Sequence, residues 1–253
     1  MDSAVEQWNL TVVPDARAMS EIAADIVADT VAAKPDAVVS FPTGSTPLGM
    51  FELLAERAAR GDIDLSHIEL FCLDEYVGVT AADPNSLTGW LKRALIDRVG
   101  VPPAHVHALP ATTSDIAAAE RFERELADLG GLDLAVLGLG PNGHIGYNEP
   151  GSQADSRTRM VTLTPGSVAQ AAAYWQGAVD IPDTAVTIGV GTLLEARQIV
   201  LLVTGEAKAD MLHRTLEEPM SAEVPASWLR KAGSRLHIVA DEAAASQLAS
   251  ARR

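Results

Sequence analysis

The sequence predicts an α/β fold of three layers, a mainly parallel open sheet with helices on both faces. Three observations carry this. Apolar, β-branched runs alternate with longer segments of helical period, LDLAVLGLG (132–140) and QIVLLVTG (198–205) are apolar at almost every position, and several such runs end in glycine-bearing turns that open a helix. A strand that is apolar on both sides is covered on both sides, and the covering helices make its connections parallel crossovers.

Taken in order, LTVV (10–13) is the first strand and leads into an alanine-rich helix from about Asp15 to Ala33. DAVVSF (36–41) is the next, followed by the turn PTGSTP (42–47) and the helix LGMFELLAERAAR. HIELFCLDE (67–75) reads as one buried strand and SLTGWLKRALIDRVG (86–100) as an amphipathic helix. TSDIAAAERFERELADLG (113–130) is a further helix, opening on a capping-type Thr-Ser-Asp and ending at Gly130. LDLAVLGLG, AVTIGVG, QIVLLVTG and RLHIVAD supply the remaining strands. No internal repeat or Pro/Ser-rich linker divides the chain, so 1–253 is read as a single domain. The least patterned stretch, about 150–185, is a candidate lid.

Composition narrows the class. The 253 residues are 47% hydrophobic with mixed charge, as a well-cored globular protein requires. A formal net charge of −15 disfavours nonspecific association with nucleic acid or anionic membranes. Cys72 is the only cysteine, so no intrachain disulfide is expected, and its place in IELFC makes it a small buried hydrophobe. The first 15 residues lack a basic region followed by a long apolar one, and no apolar stretch reaches bilayer length. The expectation is a soluble, cytoplasmic protein, with no nucleic-acid or membrane partner.

The chemistry concentrates at strand ends. LGLGPNGHIGYNEPG (137–151) places His144, Glu149, Asn142 and Asn148 in a glycine-rich turn directly after an apolar strand. Open α/β sheets build their sites at such carboxyl ends. His144 can move a proton near neutral pH, and a carboxylate such as Glu149 that fixes its tautomer makes it better at that. Asn142 can orient a sugar hydroxyl or a water. In PTGSTP, backbone N–H groups and the hydroxyls of Thr43, Ser45 and Thr46, with Gly44 between them, form either a phosphate cradle or merely an N-cap. GxxxxGK[ST] is absent, so no nucleotide is implied. Asp74 ends a buried run; it is either a general base or the cap of the next turn. Lys208, in TGEAK, falls in the first turn of a helix, where it either meets a bound anion or is simply solvated. No set of His, Cys, Asp and Glu has metal-ligand spacing, and no GxSxG elbow is present. Two turns able to grip a phosphate beside a base and a His/Glu pair fit proton abstraction next to the carbonyl of a phosphorylated sugar.

These segments resemble the glucosamine-6-phosphate deaminase (isomerase) family along almost the whole chain, through PTGSTP, LDEYVG, NGHIGYNEPG, SRTR, TIGVGTLLEA and TGEAK. NGHIGYNEP is the most specific of them. The related 6-phosphogluconolactonases carry a GHTASLFP-like segment there, which this chain lacks. The resemblance implies a Rossmann-like sheet of the sugar-phosphate isomerase type and conversion of an amino-hexose 6-phosphate, glucosamine 6-phosphate first, to fructose 6-phosphate and ammonia. That places it in amino-sugar (N-acetylglucosamine) catabolism. It implies Asp74 as the group that moves a proton between C2 and C1, and His144 as the ring-opening group assisted by Asn142 and Glu149. Phosphate binding would fall to Thr43–Thr46 and Lys208. No metal or organic cofactor is called for, and the assembly would be a monomer or a homo-oligomer. The alternatives are a lactonase, or a sensor that keeps the fold without turnover. In two places the chain departs from the family pattern. The lid arginine of an NxRFF-like run is replaced by Ala173, in AQAAAYW, and an allosteric lysine partner of Arg157 and Arg159 is replaced by Val161.

Overall fold

Side chains of successive strand residues point to opposite faces, so an uninterrupted apolar strand feeds two cores at once. The computed structural model, which describes residues 8–111, 116–172, 175 and 181–249, shows this directly. In the fourth and last long apolar runs, Ala135, Leu137, Ile199, Leu201 and Val203 pack into one core, while Leu134, Val136, Val200 and Leu202 pack into the other.

In chain order the first half comprises β1 (Asn9–Val13), α1 (Ala16–Ala33), β2 (Val38–Ser40), α2 (Leu48–Arg60), β3 (Glu69–Phe71), β4 (Asp74–Tyr76), α3 (Leu87–Leu91) and α4 (Asp97–Val99). Then follow β5 (Val106–His107), α5 (Ile116–Asp128), β6 (Leu134–Gly138), β7 (Arg159–Thr162), α6 (Pro165–Ala172), β8 (Thr184–Thr187) and α7 (Val190–Leu194). The chain closes with β9 (Gln198–Val203), α8 (Ala209–Glu217), β10 (Leu236–Asp241) and α9 (Glu242–Ala245). Seven strands form a sheet in the order β1-β10-β9-β6-β2-β3-β5, and every pair in it is parallel. β2, β3 and β5 are added in one direction and β6, β9 and β10 in the other, so the order reverses between β2 and β6. Ligands bind outside such a reversal, at the carboxyl ends of the strands.

The structure differs from the sequence reading in three places. HIELFCLDE is not one strand: β3 stays in the large sheet, and after Cys72 and Leu73 the chain turns into β4, which joins an antiparallel sheet in the order β4-β8-β7. AVTIGVG therefore contributes to this smaller sheet rather than to the parallel one. The helix expected over 86–100 is built from α3 and α4 with a π-turn, Lys92–Ile96, between them. The unpatterned stretch at 150–185 contains β7 and α6; Leu163, between them, and Ala171 of α6 pack with Tyr76 and Ala185 in a third small core. Cys72 is buried, and burial pushes its thiol up to about 12, as expected of a packing residue.

Candidate active site

Four neighbouring strands of the large sheet, β9, β6, β2 and β3, send their carboxyl ends into one cavity of about 230 Å³. β2 supplies Thr43–Thr46, β3 leads to Asp74, β6 leads to His144, and the turn after β9 supplies Lys208; all line this cavity. The residues named from the sequence thus meet at one place, with Asn142 and Glu149 behind His144 rather than on the wall.

The turn Pro42–Pro47 has Gly44 at φ +96°, a left-handed conformation that favours glycine. α2 takes no side-chain cap at its N-terminus. The capping alternative for Thr43, Ser45 and Thr46 therefore falls away, and the turn faces the cavity with the positive end of α2 behind it. Lys208 ends a short 3-10 turn, Glu206–Lys208, at the position just before α8. It is half-buried, which lowers the pKa of its ammonium, and among the described residues lining the cavity it is the one Lys or Arg.

Asp74 and Glu75 are adjacent on β4, and both are buried. Glu75 accepts hydrogen bonds from Ser86 Oγ at 2.6 Å and from the backbone N–H groups of Leu87 and Thr88 at 2.9 Å each. Glu75 thus closes off the start of α3 together with Ser86, whose Oγ accepts from the Gly89 N–H at 3.0 Å. Asp74 does no such work. Its Oδ1 is buried with no hydrogen-bond partner, and burial, with the neighbouring charge of Glu75, raises its carboxyl to about 7. A carboxyl of that kind is poised for proton transfer near neutral pH. Gly146, at φ +53°, lets the following loop approach closely: a Cβ there would stand 3.0 Å from Thr187 Oγ1 and 3.5 Å from Asp74 Oδ2.

The His144 ring occupies the space beside Gly140 that a side chain there would fill. A methyl group at Gly140 would fall 2.0 Å from the imidazole, so only glycine admits the ring in this position. Nδ1 faces Glu149 Oε2 at 3.5 Å and Ser167 Oγ at 3.4 Å. Asn142 holds the loop from both ends, donating from Nδ2 to Glu149 Oε2 at 2.7 Å and accepting from the His144 N–H at 3.2 Å. Burial acts to raise Glu149, but hydrogen bonds from His144, Ser167 and Asn142 outweigh it and hold the carboxyl at about 2. Asn148, the fourth polar residue of the motif, is structural. It donates to the carbonyls of Ile145 and Ile188 and accepts from Arg159.

Several wall residues were not named from the sequence. Tyr76 and Tyr147 share a hydroxyl–hydroxyl hydrogen bond of 2.6 Å, and Trp175 stands edge-on to Tyr76. Ser167 and Gln170 reach the cavity from α6. Tyr76 and Tyr147 adjoin recognised motifs and were within reach of sequence reasoning; Ser167, Gln170 and Trp175 belong to the unpatterned stretch and were not. Ala173 lies outside the described residues. Arg157 is engaged with Glu123 and Glu195, and Arg159 with Asn148 and Ser152. Among the described residues no group of three or more His, Cys, Asp or Glu is placed to hold a metal ion, and no helix is long and apolar enough to cross a membrane.

Residues 15–238 match the family model described as glucosamine-6-phosphate isomerases/6-phosphogluconolactonase. The chain belongs to this family. Within it, a glucosamine-6-phosphate deaminase of Streptomyces avermitilis is 41% identical over 245 residues, 94% of this chain and 92% of the relative. One of Rhodopirellula baltica is 39% identical over 240 residues, 94% and 95% of the two chains. The solved structure of a monomeric glucosamine-6-phosphate deaminase superposes with a TM-score of 0.90 at 34% identity, covering 94% of this chain and 99% of that one. The 6-phosphogluconolactonase from Trypanosoma cruzi, at a TM-score of 0.78 and 20% identity over 96% and 98% of the chains, shares the fold. The sheet, its reversal point and the expected family are thus in agreement.

Proposed function

We propose that this chain converts glucosamine 6-phosphate and water to fructose 6-phosphate and ammonia. The observation that carries the reading is a buried, unpartnered carboxylate, Asp74, opening into the same cavity as His144, with a hydroxyl- and amide-lined turn and one ammonium also on its wall. The identity to named deaminases supports it.

In this reading Thr43–Thr46 and Lys208 hold the phosphate. His144, with Nδ1 turned to Glu149, helps move the proton from the anomeric hydroxyl to the ring oxygen, which opens the sugar to the aldehyde. Asp74 takes the proton from C2 and gives it back at C1, while the aldehyde oxygen gains a proton and the amine loses one. That leaves a C2 imine, which water hydrolyses to the ketone and ammonia. Burial raises Asp74 enough for it both to accept and to return a proton near neutral pH. The whole chain acts as one domain, with 150–185 as its lid, in the cytoplasm.

Ammonia release from glucosamine, galactosamine and mannosamine 6-phosphates, beside hydrolysis of 6-phosphogluconolactone, tests this. The proposal expects ammonia from glucosamine 6-phosphate and no lactone turnover. Lactone hydrolysis without ammonia would replace it with a lactonase. Binding of the sugar phosphates with no turnover of any substrate would make the protein a sensor.

A further inference from the structure

The contact between His144 and Glu149 is too long to orient the imidazole alone. At 3.5 Å, Nδ1 to Oε2 lies outside the range of a strong charge-assisted hydrogen bond. A second route joins the same two groups. Ser167 Oγ stands 3.4 Å from His144 Nδ1, Thr164 Oγ1 stands 3.0 Å from Ser167 Oγ, and Thr164 Oγ1 is 3.3 Å from Glu149 Oε2. Each hydroxyl has one proton to give. The carboxylate can only accept, and Ser167 is one of the groups that hydrogen-bond to it. Thr164 Oγ1 donates to Ser167 Oγ, so Ser167, its own proton given to Glu149, has only lone pairs left for Nδ1. The chain of donors is therefore directional: His144 Nδ1–H to Ser167 and Ser167 to Glu149, with Thr164 donating to Ser167. It places the proton on Nδ1 and leaves Nε2 as the ring nitrogen without a proton when the imidazole is neutral.

We propose that Ser167, with Thr164, is a positioning residue that sets the tautomer of His144. This rests on the proposed function for its bearing on rate. Both hydroxyls sit where the chain enters α6, and Ser167 is buried and lines the cavity, so the tautomer is tied to the seating of the segment that covers the site. The Ser167 N–H also donates to Thr164 Oγ1 at 3.3 Å, which locks the two hydroxyls together through one turn of backbone. The aromatic neighbour of the ring, Tyr147, meets it edge-on with centroids 6.0 Å apart and offers no competing fix for Nδ1.

The test is imidazole nitrogen NMR on the full chain labelled with 15N-histidine, with the His144 signals assigned by their loss in His144→Asn. In the wild type the expected pattern is a protonated Nδ1. In Ser167→Ala the two nitrogens should move towards a tautomer mixture, kcat for ammonia release should fall roughly tenfold, and KM should change less than about twofold. Ser167→Thr, which keeps the hydroxyl, should restore both readouts. Should Ser167→Ala fail to fold, Ser167→Cys, similar in volume but a weak donor and acceptor, takes its place with the same expectations. An unchanged tautomer, or an unchanged kcat, overturns the proposal. If the wild-type chain releases no ammonia, the proposed function falls, and the nitrogen spectra still decide whether Ser167 and Thr164 set the tautomer.

Discussion

Asp74, at the start of β4, and Glu149, on the loop after β6, belong to one site and differ in a single respect. Both are buried carboxyls, and burial pushes both upwards. Glu149 is surrounded by donors, Asn142, Ser167, the Thr164 N–H and the imidazole of His144, and settles at about 2. Asp74 has an oxygen with none and settles at about 7. Burial therefore does not decide what a carboxyl does here; the supply of N–H and O–H groups does. Where the supply is complete the carboxyl is held as a fixed charge, and where it is missing the carboxyl is left able to take up a proton near neutral pH.

The largest effect should come from removing the base. Asp74→Asn should lower the rate of ammonia release by about 10²–10⁴, with substrate binding retained, as rate assays beside calorimetric titration would show. The same change should stabilise the fold at alkaline pH. Because the folded carboxyl lies near 7 against 3.8 for the free group, its contribution to stability is full below about 3.8 and is lost as pH rises through 7. An asparagine escapes that loss, so the variant should melt above the wild type at pH 8.

Glu149→Gln comes next. It should reduce turnover on the order of 10²-fold, because the imidazole loses its anchor. Its signature in stability runs the other way. The folded carboxyl is held near 2 against 4.5, so its contribution is present above about 4.5 and disappears as pH falls towards 2. The gap in melting temperature between wild type and variant should close over that window.

Glu75 sharpens the comparison, since it sits beside Asp74 and has its donors. Glu75→Ala strips the partners from Ser86, Leu87 N–H and Thr88 N–H. It should cost about 2–3 kcal/mol, or roughly 4–10 °C in Tm, by thermal melts. A melting temperature equal to wild type would show that donors do not hold Glu75 as described.

How far the site could be read from sequence follows the same division. Strand tips with glycine turns gave the cradle, Asp74, His144 and Lys208, because local sequence fixes which turn follows which strand. That Asp74 does not cap the next turn was not legible: it depends on Glu75 taking the donors there, which only packing decides. The split of 67–75 into β3 and β4 was hidden for a related reason. An apolar run looks the same whether it continues in one sheet or crosses into another, and β8 that receives β4 lies more than a hundred residues on. Ser167 and Thr164 lay in a stretch with no period at all, and only the fold brings them to His144.

The smallest effect concerns regulation. Arg157 and Arg159 are already occupied by Glu123, Glu195, Asn148 and Ser152, and Val161, where the family resemblance implies an allosteric lysine, carries no charge. Added N-acetylglucosamine 6-phosphate should therefore leave the initial rate nearly unchanged; strong activation would show that these arginines are released to bind it.

The contrast between the two carboxyls is open to direct observation by infrared titration of the unliganded protein, taken as the difference between wild type and Asp74→Asn. The account predicts a protonated-carboxyl band, present in the wild type and absent from the variant, that disappears with a midpoint near 7. A midpoint in the ordinary carboxylate range, about 4, would contradict it.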